Sequence, residues 1–125
     1  MKTFKLFTVI FIALLFSQCK YSFIVPEEVV DPTDPDVEEV SFSGQIAPIF
    51  TSLDCTACHD TGKTSPDLSS ANAYSSIVPS LVNTGNPEES EIYTKPSPSG
   101  SHPKKYSDAQ AALILTWITQ GAKNN

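Results

Sequence analysis

Cys55-Thr56-Ala57-Cys58-His59 constrains what this chain can become more than any other stretch. Two thiols separated by two residues, followed at once by an imidazole, have the spacing of a c-type haem attachment site. The spacing has a mechanical basis. On one turn, the thiols of Cys55 and Cys58 can each form a thioether with a haem vinyl, and His59 then lies under the iron as its proximal ligand. Two other uses of these residues compete. A structural zinc site could draw on Cys55, Cys58, His59 and His102, but His59 directly follows Cys58, and adjacent side chains rarely turn onto one ion. A thioredoxin-like redox pair would want a strand before it and a βαβ fold around it, and neither pattern is present. One covalent haem c is the preferred cofactor, because an amphipathic helix ends at the cysteines and the domain has no other cysteine.

The N-terminus points to export. Lys2 and Lys5 precede an apolar run from Phe7 to Phe16, interrupted only by Thr8. At about ten residues this run is too short for a bilayer core that needs about 20. A basic start, a short apolar centre and a small-residue exit describe a signal peptide over residues 1–18. Leu14-Leu15-Phe16-Ser17-Gln18-Cys19 resembles a bacterial lipoprotein signal of the Bacteroidetes type, which implies lipidation of Cys19 and anchorage to a membrane, on the periplasmic side or at the cell surface. Cleavage there leaves six lysines against 14 acids and a charge of −8. That balance speaks against nucleic acid as a partner, since phosphate backbones call for a basic face.

Residues 19–40 read as a tether. Seven acidic residues alternate with Pro26, Pro32 and Pro35, and aromatic residues are absent after Phe23. Such a stretch buries little surface, and its charge and prolines favour extension at roughly 3 Å per residue.

Residues 41–125 carry helical patterns and no convincing alternating strand, so the expected class is all-α. Ser43 is placed to cap a first helix whose Ile46, Ile49, Phe50 and Leu53 share a face. Asn72 to Val78 suggests a short helix. Asn86-Pro87-Glu88-Glu89 suggests the start of another, running through Ile92 and Tyr93; its carboxylates, with Glu91, favour the helix dipole and have no acid–base role. Ser107-Asp108-Ala109-Gln110 is a capping box for a last helix carrying Leu113, Ile114, Trp117 and Ile118, with Gly121 as its stop. Leu68, Tyr74, Leu81 and Ile92 are candidates for the haem pocket, with ordinary core packing equally open to each.

The order of helix, Cys55–His59 motif, short helices, distal loop and Trp117-bearing last helix resembles the class I monohaem cytochrome c fold. Phe42-Ser43-Gly44-Gln45-Ile46-Ala47-Pro48-Ile49-Phe50, Asn86-Pro87-Glu88-Glu89-Ser90-Glu91-Ile92-Tyr93 and Trp117-Ile118-Thr119-Gln120-Gly121-Ala122 resemble a cytochrome c-like domain of exported bacterial lipoproteins. That resemblance implies that the N- and C-terminal helices cross, with Phe50 and Trp117 near the contact, and that haem sits between short helices and loops. It also exposes a departure. The family usually offers a methionine followed by proline in the distal loop, whereas this chain has Ser99-Gly100-Ser101-His102-Pro103, and its only methionine is Met1. His102, 43 residues after His59, is therefore the candidate distal iron ligand. An open sixth site, or a lysine from Lys95, Lys104 or Lys105, remains an alternative; a lysine would first need deprotonation, at about 1.4 kcal/mol per pH unit below its pKa.

Function follows from that coordination. A haem iron with both faces occupied leaves no position for substrate, so the expected role is single-electron transfer with periplasmic or membrane redox partners, in an electron carrier and not an enzyme. The rivals are a haem-based ligand-binding or sensing domain with a displaceable sixth ligand, and a surface interaction module that uses haem as a staple.

Overall fold

The computed structural model describes residues 38–125; the signal, Cys19 and the tether up to residue 37 lie outside the described residues. All regular structure among the described residues is helical. A π-wound turn, Phe42–Ile46, leads into α1, Ala47–Ser52. Then come a 3-10 turn at Cys55–Ala57, α2 at Ala73–Ile77, a 3-10 turn at Pro87–Glu89, α3 at Glu91–Thr94 and α4 at Asp108–Thr119.

The cap of the first segment is Ser41, two residues before the expected Ser43. Ser41 is extended, its Oγ accepts from the Gly44 amide at 3.1 Å, and the Gln45 side chain accepts from the Ser41 amide at 2.9 Å. Ser43 instead lies inside the turn and donates its hydroxyl to the Asn125 carbonyl at 2.8 Å. The wide winding gives way to α1 beside Pro48, which has no amide to donate and is tolerated only in a first turn.

The last helix follows its sequence signals closely. The Ser107 hydroxyl accepts from the Gln110 amide and the Gln110 side chain accepts from the Ser107 amide, so the capping box is closed. At the other end Gly121 takes φ +97, the Gly121 amide donates to Ile118 and the Ala122 amide donates to Trp117. This paired closure needs a left-handed residue after the cap, where glycine has no side chain to clash.

Asn86–Tyr93 is divided where one helix was expected. Ser90 is extended and separates Pro87–Glu89 from α3, and Asn86 does not cap with its side chain. The reason is a competing bond: the buried Ser90 hydroxyl accepts from the Asn83 amide at 2.9 Å, drawing the backbone out of the helix.

The core gathers on Trp117, which is fully buried. Its ring lies 5.3 Å from Phe42 and 6.5 Å from Tyr74, and Phe42 and Tyr74 meet edge to face at 5.2 Å. Two polar tips are satisfied by the chain end: Trp117 Nε1 donates to the Lys123 carbonyl and the Tyr74 hydroxyl to the Ala122 carbonyl, each at 2.9 Å. Phe42 is the aromatic ring that meets Trp117, and Phe50 is buried in the same core. Tyr74 belongs to this cluster and is not among the residues that line the cleft beside His59. Residues 38–40 pack here as well: Val40 is buried, its amide donates to the Gln120 side chain, and Glu39 pairs with Lys123 at 3.1 Å.

Candidate haem site

The Cys55–His59 segment begins with a reversal. α1 ends at Leu53, and Asp54 takes the left-handed conformation at φ +53, which short polar side chains tolerate better than most. The chain then tightens into the 3-10 turn, where the Cys58 and His59 amides both donate to the Cys55 carbonyl. Lys63 folds back over the turn and donates to the carbonyls of Thr56 and Ala57.

His59 is held at both ends. Its carbonyl accepts from the Leu68 amide at 2.9 Å, and its Nδ1 lies 3.1 Å from the Thr64 carbonyl. A carbonyl only accepts, so Nδ1 carries the proton and Nε2 is the nitrogen left for a metal. Beyond it, the loop is tied by Asp67, whose carboxylate accepts from Thr61, Asn72 and the Ser69 amide. Ser69 foremost, with Asn72 and Thr61, holds that carboxyl well below the usual carboxylate range.

His102 arrives from the other side of the domain. Its Nδ1 is engaged by the Lys104 backbone, 2.9 Å from the carbonyl and 3.2 Å from the amide, which again leaves Nε2. The His59 and His102 ring centres are 5.9 Å apart with planes inclined at 35°. That separation would allow both imidazoles to reach one metal ion, at bonds of about 2.0 Å.

Both rings line a cleft of about 380 Å³, together with Cys55, Phe50, Leu53, Leu68, Leu81, Ile92 and Tyr106. The volume lies in the range of ordinary ligand pockets. Leu68, Leu81 and Ile92 line this cleft, and Leu68 and Ile92 also belong to the core. Cys55 is half-buried at the wall, and burial pushes its thiol above the ordinary value, against the opposing pull of Lys104. A raised thiol is the reverse of what a redox-active pair needs. Cys58 is exposed and lies outside the lining, and the two sulfurs are not joined to each other.

Among the described residues, no three histidine, cysteine or carboxylate side chains gather closely enough to hold a metal ion, so the four-ligand zinc set is not assembled. Of the three candidate lysines, Lys95 and Lys104 also line the cleft, and all three have partners. Lys95 pairs with Glu91 at 2.7 Å, Lys104 with Asp54 at 3.5 Å, and Lys105 donates to the Pro98 carbonyl. The donor set, the histidine spacing and the apolar walls fit a haem.

Tyr106 and Phe50 complete the walls, and neither was expected there. A signal for Tyr106 was present: it directly precedes the Ser107 cap, and with Ala111 it occupies the paired apolar positions that flank a capping box, both buried. Its hydroxyl donates to the Ile92 carbonyl at 3.0 Å, and burial, then Cys55, holds the phenol well above its usual range. Tyr106→Phe leaves that carbonyl unpaired and is expected to lose about 1–2 kcal/mol in urea unfolding at pH 7. Because the folded phenol is raised, the stability it carries is complete below the unfolded value near 10 and lost as pH climbs above it. The variant should therefore show a smaller alkaline loss; an unchanged alkaline limb would contradict the assignment.

Scans against family models, curated proteins and solved structures returned no match to this chain. The functional reading rests on the cleft itself.

Proposed function

We propose that residues 41–125 form a small cytochrome c-like domain that holds one covalent haem c and serves as a single-electron carrier, not an enzyme. The observation that carries this reading is the pairing of His59 with His102, ring centres 5.9 Å apart, at an apolar cleft walled by Cys55. Cys55 and Cys58 would supply the thioethers, His59 the proximal ligand and His102 the distal one. When bound, such a group takes up and releases one electron at its iron.

The remaining chemistry belongs to the chain. The Thr64 and Lys104 backbones hold both imidazoles in orientation, which would limit rearrangement of the ligands when a bound haem changed redox state. Phe50, Leu68, Leu81 and Ile92 supply the apolar part of the wall. With two imidazoles committed, no position remains for a substrate. A second imidazole in place of the thioether also favours a lower potential than a methionine–histidine site of similar burial. A lipid on Cys19 and an acidic, proline-rich tether would hold the domain near periplasmic or membrane redox partners, where effective concentration substitutes for affinity.

Absorption spectra of the purified holoprotein, ferric, ferrous and with carbon monoxide, test this directly. Wild type is expected to be low-spin and insensitive to carbon monoxide, with His102→Ala becoming high-spin and ligand-binding. A wild type that already binds carbon monoxide readily would move a ligand-binding role ahead of electron transfer. Potentiometry should give a value below the methionine–histidine range, and a value within it would remove His102 from the iron.

A further inference from the structure

Residues 96–106 fold back onto the end of α3, tied to it by bonds to Ile92, Thr94 and Lys95 and closed by bonds within the loop. The His102 amide donates to the Lys95 carbonyl at 3.1 Å and the Tyr106 amide to the Pro96 carbonyl at 2.7 Å. The Ser97 hydroxyl donates to the Thr94 carbonyl at 2.9 Å, and the Gly100 amide to the Ser97 carbonyl at 2.9 Å. The bonds to Thr94 and Lys95 satisfy carbonyls that a helix end leaves without partners. Gly100 is the point of closest approach. A methyl group built on it would run into the carbonyl oxygens of both Lys95 and Thr94. Its backbone is not among the left-handed positions, which are Asp54, Gly62, Gly121 and Ala122, so the demand at Gly100 is for space alone.

We propose that Gly100 is a positioning residue for His102: its missing side chain lets the 96–106 loop close on the end of α3, and the closed loop presets the distal imidazole beside His59. This rests on the bis-histidine haem site proposed above. The consequence is a sixth ligand that is clamped and not displaceable. A methyl at position 100 clashes in the closed loop and is relieved when the loop lifts, so the substitution shifts the population toward an open form.

The test compares holoprotein of wild type, Gly100→Ala and Gly85→Ala, with carbon monoxide as the probe. At Gly85 an added methyl meets only Asn83 Oδ1, at an ordinary contact of 3.4 Å. Because apparent affinity scales with the fraction of molecules open, Gly100→Ala is expected to bind carbon monoxide at concentrations, about tenfold above its own half-saturation, at which wild type and Gly85→Ala remain insensitive. A Gly100→Ala spectrum matching wild type, low-spin and insensitive, would overturn the clamp while leaving the haem site standing. A wild type that binds carbon monoxide unaided would instead overturn the site beneath it. Hydrogen exchange on wild-type holoprotein decides the matter independently of variant folding: the His102 and Tyr106 amides should be protected, and free exchange of both would overturn the clamp.

Discussion

Cys55→Ser/Cys58→Ser is expected to abolish covalent pigment altogether. After acid–organic extraction, wild type should retain its haem absorbance in the protein fraction and the double variant should retain none. The physical reason is that a thioether forms only from a thiol, and the chain's remaining cysteine, Cys19, lies outside this domain. The single variants are informative about the cleft. Cys55 stands at its wall and Cys58 outside its lining, so Cys55→Ser should cost more attachment than Cys58→Ser. Losing the cofactor should also lower stability, because a group bound only by the folded state stabilises that state by mass action. For a domain of this size, whose core alone is marginal, the effect on thermal unfolding should be large. Pigment that resists extraction from the double variant would contradict covalent attachment.

Trp117→Ala is expected to be the most destabilising single substitution in the apolar core. Trp117 is fully buried, contacts Phe42 and Tyr74, and donates to the Lys123 carbonyl. Truncation of a buried aromatic costs about 3–5 kcal/mol, which for a domain of this length corresponds to a fall in Tm of roughly 15–30 °C. Against a total stability of about 5–15 kcal/mol, much of the population could be unfolded at 37 °C. Trp117→Phe keeps most of the volume but not the Nε1 bond and should cost less than half as much. Helical circular dichroism followed during heating measures both. A fall of under 5 °C in Trp117→Ala would mean that the Phe42–Tyr74–Trp117 cluster does not hold the helices together.

Much of this domain was legible from its sequence because the signals involved are local. The Ser107–Gln110 box, the Gly121 stop and the Asn72–Val78 helix depend on bonds spanning a few residues, and they occur where the pattern placed them. The Cys55–His59 segment is local in the same sense: Cys55, Cys58 and His59 are ordered by a single 3-10 turn and its flanking amides. Helix composition and the absence of strands among the described residues follow from the same short-range patterning.

The errors lie where a distant partner outcompeted the local signal. Ser43 would cap a helix in isolation, but Asn125, at the far end of the chain, takes its hydroxyl, and Ser41 caps instead. Asn86 to Tyr93 would make one helix, but Asn83 draws the buried Ser90 into an extended conformation. Phe42 and Phe50 are both apolar and differ by eight positions; only packing decides that the first meets Trp117 and the second walls the cleft. Residue type and short spacing name the donors that the proposed haem would need, Cys55, Cys58, His59 and His102. Tertiary structure decided that His59 and His102 come within 5.9 Å, because that juxtaposition depends on a loop of 96–106 closing on the end of α3 through contacts that no local pattern records.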